Sequence, residues 1–116
     1  MIVKGGLTGS ISRDGGLTFK NLGNMHSDIH DVVFDINDSD RMFVGTDGGI
    51  YMSINKGTAW QFINSLPVGQ FYHVSTDNQT PYHVYGGLQD NNSWMAPSSA
   101  PGGVTAVDWR WINGGD

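Results

Sequence analysis

One eight-residue pattern occurs twice in this chain at a spacing of 41 residues. Ser12-Arg13-Asp14-Gly15-Gly16-Leu17-Thr18-Phe19 is echoed by Ser53-Ile54-Asn55-Lys56-Gly57-Thr58-Ala59-Trp60. The Ser, Asp/Asn, Gly and aromatic positions all keep the same offset. A fixed period of about 40–50 residues marks a repeat architecture, in which one supersecondary unit buries its apolar face against the next. The pattern therefore constrains the fold more tightly than any residue propensity does.

Short β-rich segments bounded by turn clusters fill the intervals. In the central repeat, strands are expected at 29–34, 41–45, 50–53 and 59–63, joined by the turns 35–40, 46–49 and 55–57. Hairpin-length turns between such strands give an antiparallel four-stranded meander. A second unit follows, with strands at 70–76, 82–87, 93–96 and 107–112 and a longer Pro/Ser/Gly loop within 97–106. Val44-Gly45 aligns with Tyr85-Gly86 at the same offset of 41, which puts Trp94 where the motif serine is expected. Segments 3–4, 7–12 and 18–22 read as the last strands of a preceding unit without its first strand. No stretch sustains a helical 3.6-residue period.

The expected fold is thus all-β, made of four-stranded antiparallel blades of a β-propeller. The chain divides into a partial blade at 1–28 and full blades at 29–66 and 67–116, roughly two and two-thirds in all. Propellers close with typically 4–8 blades. Several copies are therefore expected to assemble into a homo-oligomeric ring, unless the chain is a piece of a longer protein.

Composition narrows the chemistry. The 116 residues include 17 glycines and no cysteine. That excludes disulfides, a thiolate nucleophile and thiolate-bound zinc. The formal charge of −5, from 6 basic and 11 acidic residues, comes without a Lys/Arg cluster, so no nucleic-acid partner is expected. No apolar run approaches the ~18 residues of a membrane span, and no signal-like segment opens the sequence. The histidines His26, His30, His73 and His83 lack the common face that metal ligation needs, so neither a metal nor another cofactor is expected.

The repeated motif has a structural logic. An Asp or Asn side chain can accept hydrogen bonds from backbone N–H groups of its own turn. Gly16 and Gly57 permit positive φ, and Phe19 and Trp60 offer large rings to bury. Ser12, Asp14, Gly16, Thr18 and Phe19, with the degenerate copy Ser53, Asn55, Gly57 and Trp60, resemble the Asp-box, or bacterial neuraminidase repeat. Asp14 is read as part of a turn staple between the third and fourth strands of a blade, not as an acid catalyst.

Val44-Gly45-Thr46-Asp47-Gly48-Gly49-Ile50-Tyr51 resembles a strand-turn-strand of propellers related to sortilin and to xyloglucan-degrading glycosidases. Segments 66–72 and 85–94 are similar to bacterial sortilin-type propellers of glycosyl-hydrolase-like character. The resemblance runs from about residue 7 to 116 and implies a secreted or periplasmic parent several hundred residues long. In the glycosidases a Thr-Asp-x-Gly-Gly segment supplies a catalytic carboxylate, a role the resemblance carries to Asp47.

Blade topology puts the turns between strands two and three on the same end as the links between blades. The expected site therefore collects Thr46, Asp47, Gln89, Asp90, Asn91 and Asn92, with His26, Asp28, His30, Gln70 and Asp116. Such acids, amides and imidazoles suit sugar hydroxyls or a peptide. An inverting glycosidase would need a second carboxyl ~6.5–9.5 Å from Asp47, for which Asp90, Asp116 or Asp47 of another copy are the candidates. The expected function is a non-catalytic scaffold or binding module for glycan or peptide. A glycoside hydrolase using Asp47, or a fragment with no ligand of its own, are the alternatives.

Overall fold

The computed structural model describes residues 1–66 and 68–115, so Asp116 lies outside the described residues. Eleven strands form three antiparallel sheets, with a single 3-10 turn at Ala106–Asp108 among the described residues. The first sheet has three strands, β1 (Ile2–Lys4), β2 (Ser10–Ser12) and β3 (Lys20–Asn21), in the order β1-β2-β3. The second is a meander of β4 (Ile29–Phe34), β5 (Met42–Thr46), β6 (Gly49–Ser53) and β7 (Gln61–Phe62). The third repeats it with β8 (Phe71–Thr76), β9 (His83–Leu88), β10 (Ser93–Pro97) and β11 (Arg110–Asn113). No sheet closes on itself.

The chain separates into two compact units, Met1–Leu66 and Pro67–Asp116. In the first unit Ile11, Leu22, Ile29 and Val44 form a buried cluster, with Val3, Met25, Val32, Tyr51 and Trp60 packed against it. Alternation along β5 explains the burial. Met42 and Val44 are fully buried while Phe43 between them is not, as a period of two requires. Fully burying a Val or Met side chain contributes about 1.5–3 kcal/mol.

The two four-stranded sheets share their register, but the offset is 42 rather than the 41 read from the sequence. Ile29 pairs with Thr46 and Phe34 with Met42, as Phe71 pairs with Leu88 and Thr76 with Val84. Val44 therefore corresponds to Gly86, not to Tyr85. The β5–β6 turn holds two residues between Thr46 and Gly49, whereas Leu88 N–H reaches back from its turn to the Asn92 carbonyl. That turn is one residue longer, so the third strands differ by 43. Ser53 pairs with Met42 and Ala96 with Val84. The residue in the motif serine's place is thus Ala96, and Trp94 corresponds to Tyr51.

The fourth strands are shorter and later than expected. β7 is only Gln61–Phe62, and β11 begins at Arg110 because Ala106–Asp108 coils into the 3-10 turn instead of joining the strand. Asp108 Oδ2 there accepts the Thr105 N–H at 2.7 Å and the Thr105 hydroxyl at 2.9 Å, which holds the turn. Trp109 follows the turn and meets Phe71, with ring centroids 5.9 Å apart.

Candidate functional site

The repeated motif closes two turns of one design, between β2 and β3 and between β6 and β7. Ser12 Oγ donates to Asp14 Oδ1 at 2.8 Å and accepts the Gly16 N–H at 2.8 Å. Asp14 Oδ1 also accepts the Thr18 N–H at 3.0 Å, and Oδ2 accepts the Thr18 hydroxyl at 2.5 Å. In the second copy Ser53 Oγ donates to Asn55 Oδ1 at 2.9 Å and accepts the Gly57 N–H at 2.8 Å. Asn55 Oδ1 takes the N–H groups of Thr58 and Ala59. Both serines are buried, at 0% and 1% exposure, so each hydroxyl satisfies a donor that water does not reach.

The Thr18 hydroxyl and N–H and the Ser12 hydroxyl hold the Asp14 carboxyl well below its ordinary range. Such an acid stays ionised and cannot deliver a proton near neutrality. Trp60 packs on the core of the first unit, whereas Phe19 is half-buried beneath the Lys4 ammonium, 3.9 Å from its ring centroid. Arg13 donates to the Lys56 carbonyl at 2.5 Å and Lys56 reaches Asp40 at 3.1 Å. The motif turns of the first unit thus sit at the end of the β4–β5 turn.

The opposite end of each sheet is the candidate site. The pairing of Ile29 with Thr46 and of Asp31 with Gly45 leaves His30 as an extra residue, a β-bulge at the start of β4. The same irregularity at Phe71 and His73 makes Tyr72 the extra residue of β8. A bulge re-aims the side chain it carries. The bulged His30 Nε2 hydrogen-bonds Asp47 Oδ1. The imidazole is 67% exposed and the carboxylate only 15%.

Backbone bonds fix this corner in both sheets. Asp47 N–H donates to the Asp28 carbonyl at 3.3 Å, and Gln89 N–H donates to the Gln70 carbonyl at 3.1 Å. Asp28/Gln70, His30/Tyr72 and Asp47/Gln89 are therefore structural equivalents. In the first unit the His26 ring lies over Gly48, where an added Cβ would sit 2.5 Å from ring carbons. His26 N–H donates to the Tyr51 hydroxyl at 3.0 Å, and Tyr51 packs against Phe62 at 5.1 Å between centroids. Asp28 and Asp47 each bring a carboxylate oxygen within 4.8 Å of the other.

In the second unit, Asn91 Nδ2 donates to the Gln89 carbonyl at 2.7 Å and Trp94 Nε1 to the Asn91 carbonyl at 2.8 Å. Asp90 and Asn92 take positive φ to complete the longer turn. Tyr72 is 49% exposed. Of the expected residues, His26, Asp28, His30, Thr46 and Asp47 share the corner of the first unit. Gln70, Gln89, Asp90, Asn91 and Asn92 share the corresponding corner of the second. Asp116 lies outside the described residues. Tyr72 was missed as a member, because only a one-residue slip of register equates it with His30.

A separate polar hub lies at the far end of the second unit. Asp77 accepts the His83 N–H, the His83 ring Nδ1, the Gln79 N–H and the Tyr85 hydroxyl at 2.8–3.1 Å. The His83 N–H above all, with its ring and the other donors, holds the Asp77 carboxyl well below the usual range, and Asp77 pushes the Tyr85 hydroxyl up. Asp35 plays the same part in the first unit, accepting from Asn37 N–H and Arg41 Nη1. This hub is turn architecture. Compared with known proteins, the chain matches no family model, no curated protein and no solved structure.

Proposed function

We propose that the chain is a non-catalytic scaffold of Asp-box propeller blades that binds a glycan or peptide at its bulged corners. One observation carries this reading. Two successive sheets build the same bulge against the corresponding turn, and each loads it with side chains that donate, accept and stack: His30 with Asp47, and Tyr72 with Gln89. A hydroxyl-rich ring or an extended peptide is recognised by such convergent polar groups beside an aromatic face. The resemblance of both motif turns to the Asp-box, now with matching hydrogen bonds, supports the blade assignment. Glycan and peptide array binding tests it. The expected result is a bound class that His30→Ala with Tyr72→Ala abolishes, and arrays unchanged by that double variant refute the site.

A glycosidase reading rests on Asp28 and Asp47. Their oxygens approach within 4.8 Å, nearer the ~5–5.5 Å of a retaining pair than the ~6.5–9.5 Å of an inverting one. Hydrolysis of a polysaccharide panel that Asp47→Ala eliminates would establish it. We further propose that copies associate into a closed ring, since Val74 and Trp111 are 61% and 59% exposed on the third sheet. Such apolar exposure marks association. Light scattering on a sizing column would give a discrete oligomer, and a monodisperse monomer would rule it out.

A further inference from the structure

Asn113 is the one asparagine followed by glycine in this chain. It ends β11 and is exposed. Gly114 N–H donates to Asn113 Oδ1 at 2.9 Å, so the side chain is folded back over its own following peptide. That geometry brings the Gly114 nitrogen alongside the Asn113 carboxamide carbon. Glycine carries no side chain to block the approach, and an added Cβ at Gly114 would meet only Asn92 Oδ1, at 3.9 Å.

We propose that Asn113 is a site of spontaneous covalent modification through a succinimide. The Gly114 amide loses its proton to solvent base and its nitrogen forms a bond to Asn113 Cγ. The Cγ–Nδ2 bond breaks, and the departing amine takes up a proton to leave as ammonia. Water then opens the five-membered ring at either carbonyl, giving aspartate or isoaspartate. No oxidant or reductant enters the balance.

The fold selects this position over the two Asp-Gly pairs. Asp14 is ionised and tied by Ser12 and Thr18, and a carboxylate is a poor electrophile. Asp47 is bound to His30, and the Gly48 N–H is engaged by Thr46 Oγ1 at 3.2 Å. The product matters to the sheet because Asn113 pairs with Ser93 at the end of the β10–β11 ladder. Isoaspartate adds a backbone methylene and a negative charge there, so this pairing opens.

The test is ageing of the native protein at mildly alkaline pH, followed by peptide mapping and isoaspartyl methyltransferase labelling. An unstructured peptide of residues 110–115 serves as the reference. The expected outcome is a gain of one dalton confined to the peptide bearing Asn113, at a rate comparable with the reference, and its disappearance in Asn113→Gln. Gly114→Ala should slow it severalfold. Conversion of the reference peptide while native Asn113 stays intact would overturn the proposal, as would conversion that begins at Asp14 or Asp47.

Discussion

The sheet β4–β7 and the sheet β8–β11 share one hydrogen-bond plan and fill it with opposite solutions. Where the first stacks Ile29 over Val44, the second stacks Phe71 over Gly86. Volume moves from one partner to the other while the backbone positions hold. Where the first has Ser53 it closes a hydrogen-bonded turn, and where the second has Ala96 no hydroxyl exists to close one. Between the third and fourth strands the offset rises from 43, at Ser53 and Ala96, to 49, at Gln61 and Arg110. The second connection is thus six residues longer. The ladder is specified by strands and bulges, and the connections only by what their own side chains can bond.

The largest effect is expected from exchanging the packing solutions. A Cβ on Gly86 would stand 2.7 Å from Phe71 Cε1 and 3.0 Å from the His73 carbonyl. Gly86→Val should destabilise the protein by about 3 kcal/mol, the upper end for overpacking. Adding Phe71→Ile recreates the pair of the sheet β4–β7 and should recover most of that loss. Denaturant melts of the single and double variants measure it, and additive losses would show that the two positions are not coupled.

Next comes the turn hydroxyl. Ser53→Ala makes the second sheet resemble the third and leaves the buried Gly57 N–H without its acceptor. The cost should be about 1–2 kcal/mol, whereas Ala96→Ser, placed where no motif turn follows, should gain nothing. Equal and negligible effects in thermal melts would remove the hydroxyl from the account.

A third contrast is between Asp14 and Asn55, which occupy the same place in the two motif turns. The folded state holds Asp14 below its ordinary value of 3.8. Its stabilising contribution is therefore complete above that unfolded value and disappears as pH falls through the folded one. Asp77 adds a slope of the same sign. Asp14→Asn should flatten the acid-side fall in melting temperature by lowering the melting temperature near neutrality while changing it little at acid pH. An unchanged acid slope would show that Asp14 is not a source of it.

The smallest expected effect on stability is at the bulges. His30→Ala and Tyr72→Ala remove exposed side chains and should each shift stability by about 0.5 kcal/mol or less. Any loss of ligand binding from these variants then reports on recognition and not on folding.

Much of this was legible in the residues because the information is local. Ser12, Asp14 and Thr18 bond within seven residues of chain, so their spacing alone announces the turn. β4 lies where its β-rich composition placed it, at 29–34. The expected gathering of His30, Asp28 and Asp47 followed from strand order. The alignment of the third sheet on the second was not legible. The two sheets are already 42 residues apart at Ile29 and Phe71, and pattern matching cannot tell Tyr85 from Gly86 as the counterpart of Val44. That one-residue slip hid Tyr72, and with the further residue in the β9–β10 turn it put Trp94 in the serine's place. Pairing fixes such alignments through backbone bonds that no side chain spells out.

The long connection from Ala96 to Arg110 has a practical meaning. Six additional residues enter there without moving a single pairing of β9 with β10, so foreign sequence grafted between Pro101 and Val104 should be carried as cargo by an unaltered frame. An affinity tag or a reactive peptide displayed there would sit at the end of the third sheet away from Tyr72 in strand order. The connection thus offers a handle for immobilising the protein while the bulged corner of that same sheet stays open to solution.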